Sequence, residues 1–368
     1  MAPPILYREL SMRFSAALSA PLLGLALSLS SLISQAATVE NLYQVREPVA
    51  SQQPDERAAA LGRALDTLVL RLSGDSKALS NSAVVELHKD PQQLVSQYGY
   101  ENGPPQVLVV DFDPISAERS LRQAGISLWG ANRPALLTWW LNTSADGSNL
   151  VGDSQAASAP LQRAAQNRGL PLRLPIADLS EQLAGTAENL SANNPDALKE
   201  ASARYAADAL LAVNAHEEGG QWQAQWRLWL GDSHEQGKAE GANADAVADA
   251  VLLAVSQRLA THFVAAQGAA QDLTLDVQGV DLARYAELQR LLEPFGARLQ
   301  SAVGDRLTYQ VKASAEQLRA QLTLARMREL PPEPVAAAPV DANATPDQAP
   351  ITAPVPTARA TNVLHYGW

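Results

Sequence analysis

Two carboxylates stand two residues apart in Val110-Asp111-Phe112-Asp113-Pro114, where the strand-like run Gln106-Val107-Leu108-Val109-Val110 ends. Alternate residues of an extended chain point the same way, so Asp111 and Asp113 could share a divalent cation and activate a water for hydrolysis. If that run is a buried parallel strand, both acids lie at its carboxyl end, where open α/β sheets place ligands. The simpler reading is that Asp113 caps a helix whose first residue is Pro114. Two acids without a third ligand make a weak metal signal, so no metal or cofactor is expected.

The other chemistry-bearing residues are scattered. His88, His216, His234, His262 and His365 show no ligand spacing. His216 and His234 would meet only if a hairpin brought two loop ends together. No serine sits in a nucleophile elbow, and Gly237-Lys238 lacks the rest of a phosphate loop. Trp139 and Trp140, adjacent on one strand, must face opposite ways, and both are core if helices cover both sheet faces. Trp229 falls on the polar side of its strand, where an aromatic can anchor a partner; if the following helix or the tail covers it, it is core instead. Trp129 and Arg133 follow a helix near strand ends and are candidates for lining a small-ligand pocket.

Composition narrows the classes. A net charge of -11 argues against a nucleic-acid or anionic-lipid partner. The absence of cysteine excludes thiolate nucleophiles, disulfides, thiolate metal sites and a lipoprotein anchor. Residues 14–33 carry no charge, follow Met12-Arg13 and end in Ser34-Gln35-Ala36-Ala37, the order of a secretory signal peptide cleaved after Ala36. A periplasmic address with no membrane span after signal removal follows; an uncleaved anchor is the alternative.

The elements that must position these residues read as α/β and α+β, several small modules with helices packed on mixed sheets. In a first domain, 37–178, a strand over 42–49 precedes a helix faced by Leu61, Leu65, Leu68 and Leu72 and stopped at Ser73-Gly74-Asp75. Short helices over 80–88 and 91–98 are followed by the strand 106–110. Helix 115–124, strand 135–141, a polar loop 142–152, helix 156–168 and strand 170–174 then alternate, which implies a mainly parallel sheet. A second module, 179–265, has helix 195–205, a hairpin turning at Gly219-Gly220, a polar strand near 236–240 and helix 245–263. In its return strand Trp222, Ala224, Trp226 and Leu228 share one face. A third module, 271–328, has the order β-α-β-β-α, with Arg306, Thr308, Gln310 and Lys312 on an open polar face. The Pro/Ala-rich tail, 329–368, is expected to be disordered, ending in the aromatic cluster Leu364-His365-Tyr366-Gly367-Trp368.

The stretches Leu121-Arg122-Gln123-Ala124-Gly125-Ile126-Ser127-Leu128-Trp129-Gly130, Asn132-Arg133-Pro134 and Asn167-Arg168-Gly169-Leu170-Pro171-Leu172 resemble the blocks of an exported proteobacterial family catalogued as domain of unknown function 2066. The resemblance extends to about Arg328 and implies no catalytic residues. The plan of residues 205–263 is similar, at the level of fold, to the amino-terminal module of the Tol-system translocation protein, a resemblance that implies partner binding without chemistry.

Together these features describe an exported envelope protein that binds or scaffolds an envelope protein partner, without enzymatic activity. Its polar strand near 236–240 offers an edge for strand addition. The alternatives are a metal-dependent hydrolase on Asp111 and Asp113 and a small-ligand binder using Trp129 and Arg133.

Overall fold

The structure is a computed structural model that describes residues 37–39, 41–145, 147–264, 269–331 and 362–368. The segment expected to be a signal peptide and the stretch 332–361 of the tail lie outside the described residues.

After a short strand, β1 (Ala37–Thr38), the first sheet begins with β2 (Gln44–Val49). Helix α1 (Pro54–Ser73) follows, with Pro54 at its first position and Asp55 and Glu56 in its first turn, where they complement the helix dipole. It stops at Gly74, whose φ of 63° and close approach to Ala260 exclude a side chain. A short helix α2 (Ser82–Leu87) leads to β3 (Val95–Glu101) and β4 (Gln106–Phe112), then helix α3 (Pro114–Gln123). The sheet order is β2-β4-β3, antiparallel throughout. Two expectations change here. Residues 95–98 form a strand, because only one turn follows Pro91 before Val95 turns to the sheet. The strand carrying Asp111 is also the centre of an antiparallel sheet, since β3 and β4 are joined by a four-residue turn with no crossover helix. Leu61, Leu65, Leu68 and Leu72 pack on Val45, Leu108, Val110 and Phe112.

Strand β5 (Asn132–Arg133) pairs with β1. The largest sheet follows: β6 (Leu136–Ser144) and β7 (Gly147–Leu150) make a hairpin inside the expected polar loop, because the small polar residues there alternate across a tight turn. Helix α4 (Ser158–Arg168) leads to β8 (Leu172–Arg173), which lies parallel to β6. Short helices α5 (Leu179–Ala184), α6 (Ala187–Ser191) and α7 (Asp196–Ser202) precede the meander β9 (Ala209–Glu218), β10 (Gln221–Leu230) and β11 (Ser233–Gly241), and α8 (Ala244–Phe263) closes the unit. The order is β11-β10-β9-β6-β7, with β9 parallel to β6 over eight residue pairs. One sheet therefore runs across the boundary expected near residue 178. Both its faces are covered: α4 and α8 pack on Trp140, Leu211, Val213 and Trp226, while α6 and α7 pack on Trp139, Leu210, Ala212 and Trp229.

The last unit contains β12 (Gln271–Gln278), α9 (Leu282–Leu292), β13 (Arg298–Val303), β14 (Arg306–Ala313) and α10 (Ala315–Leu324), in the expected β-α-β-β-α order. Two further strands, β15 (Arg328–Glu329) and β16 (Val363–Gly367), extend its sheet to β13-β14-β12-β16-β15. The end of the tail is thus an ordered strand. Among the described residues, no helix is long and apolar enough to cross a membrane.

Candidate functional site

The two acids at the end of β4 are each engaged in their own local structure. Asp111 lies between its cross-strand neighbours Gln44 and Gln97, whose carboxamides donate to Oδ1 at 2.8 Å and to Oδ2 at 2.9 Å. Asp113 accepts from the Ser116 backbone N–H at 2.8 Å as the N-cap of α3, and hydrogen bonds from Ser116 hold its carboxyl below the usual carboxylate range. Among the described residues no group of three or more His, Asp or Glu is arranged to hold a metal ion. Asp113→Ala is therefore expected to act through the cap, lowering the thermal midpoint by about two to four degrees while leaving it equally insensitive to Mg²⁺ or Mn²⁺.

The three residues proposed to bind a partner or ligand lie inside the protein. Trp229 is 6% exposed because the sheet face that looks polar along β10 is completed by Leu210 of β9 and Leu137 of β6 and roofed by the helices after residue 178. Its ring stacks on His234 at 5.2 Å. Trp129 is 1% exposed, stacked on Phe263 at 5.9 Å, and Arg133 is fully buried with its guanidinium 4.3 Å from the Trp129 ring.

Among the described residues Arg133 has no carboxylate partner. Its guanidinium has five N–H groups, and the five hydrogen bonds it donates go to backbone carbonyls: Gly130 at 2.9 Å, Arg168 at 2.9 Å, Gly169 at 3.2 Å, Arg71 at 2.7 Å and Trp129 at 3.0 Å. Arg71 lies in the last turn of α1, and Arg168 and Gly169 end α4, so the cation meets the negative ends of two helix dipoles and satisfies carbonyls that helices leave orphaned. Gly169, with φ 63°, would push any Cβ against this guanidinium. Burial, reinforced by the neighbouring Arg71 charge, pushes Arg133 down to about 9, still cationic at neutral pH. It joins the first sheet unit to the second.

The histidines do not form a cluster. His216 pairs with Gln223 and His234 with Trp229, six residues apart along β10, or roughly 20 Å at the strand rise. His88 faces Asp66 at 2.7 Å and His262 faces Glu235 at 3.6 Å.

His365 belongs to an arrangement that sequence reasoning missed. β16 lies parallel to β12 with Thr274 opposite Val363, Leu275 opposite Leu364, Asp276 opposite His365, Val277 opposite Tyr366 and Gln278 opposite Gly367. On the helix side, Leu364 and Tyr366 are buried with Leu275, Val277, Leu288 and Leu322. On the open side, Asp276 is only 4% exposed, accepts from Arg306 Nε at 2.8 Å and again from Arg306 Nη2, and faces His365 Nδ1 at 3.1 Å. An ionised carboxylate only accepts, so Nδ1 carries the proton. These groups line a shallow cavity of about 370 Å³ with Thr274, Ser301 and Thr308. The strand is fastened at both ends: Thr274 N–H donates to Asn362 O at 2.8 Å, Leu330 N–H donates to His365 O at 2.7 Å, and Arg284 sits 5.6 Å from the Trp368 ring. The available signal was the alternation Leu364, Tyr366, Trp368 against His365 and Gly367, a strand period hidden behind a Pro/Ala-rich stretch.

Burial works against the Asp276 charge, but Arg306 and then His365 outweigh it and hold the carboxyl below its usual range. A depressed folded-state value gives stability that is complete above the ordinary carboxylate value, about pH 4, and is lost as pH falls through the folded value. Glu47, Asp208 and Asp249 are pushed up by burial and slope the other way. Comparing the chain with Asp276→Asn cancels those terms, and the stability gap between the two is expected to shrink between pH 7 and pH 3 in urea titrations.

Comparison with known families finds a family model described as Domain of unknown function (DUF8605) over residues 36–130. Its catalogue number differs from the one the sequence blocks suggested, and it ends before most of those blocks. No curated protein and no solved structure matches the chain. The matched stretch corresponds to the first sheet unit with α1 to α3, so that unit is similar to a domain of unknown function.

Proposed function

We propose that this chain is an exported protein of the cell envelope that binds protein partners without catalysing a reaction, and that it does so by accepting extended segments at sheet edges. One observation carries the reading: the β12 edge holds a five-residue segment, distant in sequence, as an added strand, recognised by backbone pairing, by two apolar side-chain positions and by the buried Asp276 carboxylate facing His365. This is the geometry of strand addition, in which main-chain bonds supply affinity and alternate side chains supply selectivity. The strand β11 is a second edge, at the outside of the largest sheet, with exposed Glu and Lys side chains that discourage indiscriminate pairing. The likeness of residues 205–263 to a Tol-system module is in keeping with a binding role.

The test uses a labelled peptide of residues 362–368 and the full chain carrying Leu364→Pro, which removes an N–H and a core side chain from β16. Saturable binding is expected, at least tenfold tighter than to the unaltered chain, whose edge is filled by its own strand. No binding by a variant that keeps the native circular dichroism overturns the reading. A divalent-cation stabilisation lost in Asp111→Asn would instead bring forward metal-dependent hydrolysis at Asp111 and Asp113. Export predicts a mature amino terminus at Ala37, read by mass spectrometry of the secreted protein.

A further inference from the structure

The chain leaves the last sheet beside the point where it returns. β15 and β16 are antiparallel neighbours, with Arg328 opposite Gly367 and Glu329 opposite Tyr366, and Leu330 bonds to His365 across the same ladder. A connection of two to five residues closes such a hairpin. Here 30 residues, 332–361, make it, with seven prolines, nine alanines and no glycine. A stretch of that composition has a contour of about 90 Å when extended at roughly 3.1 Å per residue, far more than the connection requires.

The groups that recognise β16 are also self-contained. Leu275, Val277, Asp276, Arg306, Arg284 and Leu330 all lie between residues 271 and 331, and none depends on which copy of the chain supplies residues 362–368. We infer that β16 is a transferable strand, and that two copies of the chain exchange it reciprocally, each filling the β12 edge of the other. The occupant of the edge in this assembly is a second copy, which contributes His365 to Asp276. The inference rests on the reading of the β12 edge as a strand acceptor. Tethering sets its concentration dependence: a linker of this kind holds its own strand at an effective concentration on the order of millimolar, so exchange grows as the chain approaches that range. The contacts themselves are unchanged, as in other exchanges of an identical element.

The absence of cysteine makes the test specific. Thr274 and Val363 are register partners on the open face. A full-length chain carrying Thr274→Cys is mixed with one carrying Val363→Cys and treated with a short bis-maleimide; a third chain carries both substitutions. At about a tenth of the effective concentration, on the order of 0.1 mM chain, roughly a tenth of the chains are expected as covalent heterodimer at early times, rising with concentration. Deleting residues 334–359 from the Val363→Cys chain is expected to abolish the heterodimer, because the hairpin then closes within one copy. Complete internal cross-linking of the doubly substituted chain without heterodimer in the mixture overturns the exchange and leaves the acceptor edge standing. Failure of the doubly substituted chain to cross-link internally or between copies overturns both.

Discussion

Replacing Arg133 by Met is expected to cost at least about 4 kcal/mol, a large part of the 5–15 kcal/mol by which a domain of ordinary size is stable. The substitution keeps most of the side-chain volume and removes all five donors, leaving the carbonyls of Arg71, Trp129 and Gly169 without their partner in buried positions and those of Gly130 and Arg168 without theirs in partly buried ones. Each unsatisfied buried acceptor costs about 1–3 kcal/mol, reduced where the backbone can relax. Arg133→Lys keeps the charge but offers three donors from one nitrogen, which cannot span two helix ends, so about half the loss is expected. Urea denaturation of the three proteins, followed by circular dichroism, measures both. If Arg133 were a ligand-binding residue on an open cleft, its replacement would leave stability within about 0.5 kcal/mol of the unaltered chain.

The second large effect is expected at the other end of the chain. Tyr366→Ala removes a ring that is 2% exposed and packed in the last core, a change that costs about 3–5 kcal/mol for an aromatic side chain. Leu364→Ala, at the neighbouring inward position, is expected to cost about 2–4 kcal/mol. His365→Ala faces outward, and loses one partner of Asp276 while Arg306 keeps the other, so its effect is smaller than either. A tail that is only a solvated appendage predicts no measurable change for all three. The alternation large, small, large along residues 364–366 in denaturation midpoints is the signature of a docked strand.

The regular elements were legible wherever the pattern was local. The leucines of α1 repeat at helical spacing and end at a left-handed glycine; Asp113-Pro114 is a cap followed by its preferred first residue; the β9–β10 hairpin alternates cleanly around Gly219-Gly220. What failed depended on residues far apart. The strand direction around Asp111 is set by a connection of four residues, which permits antiparallel pairing only, and no property of the strand itself reports that. Trp229 lies on a face that reads as polar because its own strand supplies Gln221, Gln223 and Gln225 there; Leu210 and Leu137, which share its buried cluster, belong to β9 and β6. The parallel pairing of β6 with β9, which lie on either side of residue 178, is likewise a contact between residues far apart in sequence.

Arg133 shows a different limit. The block Asn132-Arg133-Pro134 stood out, yet its partners are main-chain oxygens contributed by residues 71, 129, 130, 168 and 169, and carbonyls leave no mark in a sequence. β16 is harder still. Five residues of strand pattern after 30 residues rich in proline and alanine read as the end of a tail, and only the unfilled edge of β12, known once the β-α-β-β-α unit is built, says that a strand belongs there.

The account depends most on the occupied edge of β12, and the backbone amide of Thr274 reports it directly, since it donates to Asn362 O. Amide hydrogen exchange of the full chain, compared with the Leu364→Pro chain under native conditions, is the decisive measurement. Slow exchange at Thr274 in the unaltered chain, accelerated at least a hundredfold by Leu364→Pro while amides of β10 stay protected, is the predicted result. Fast exchange at Thr274 in the unaltered chain would contradict the account, because β12 would then have a bare edge and no strand to hold.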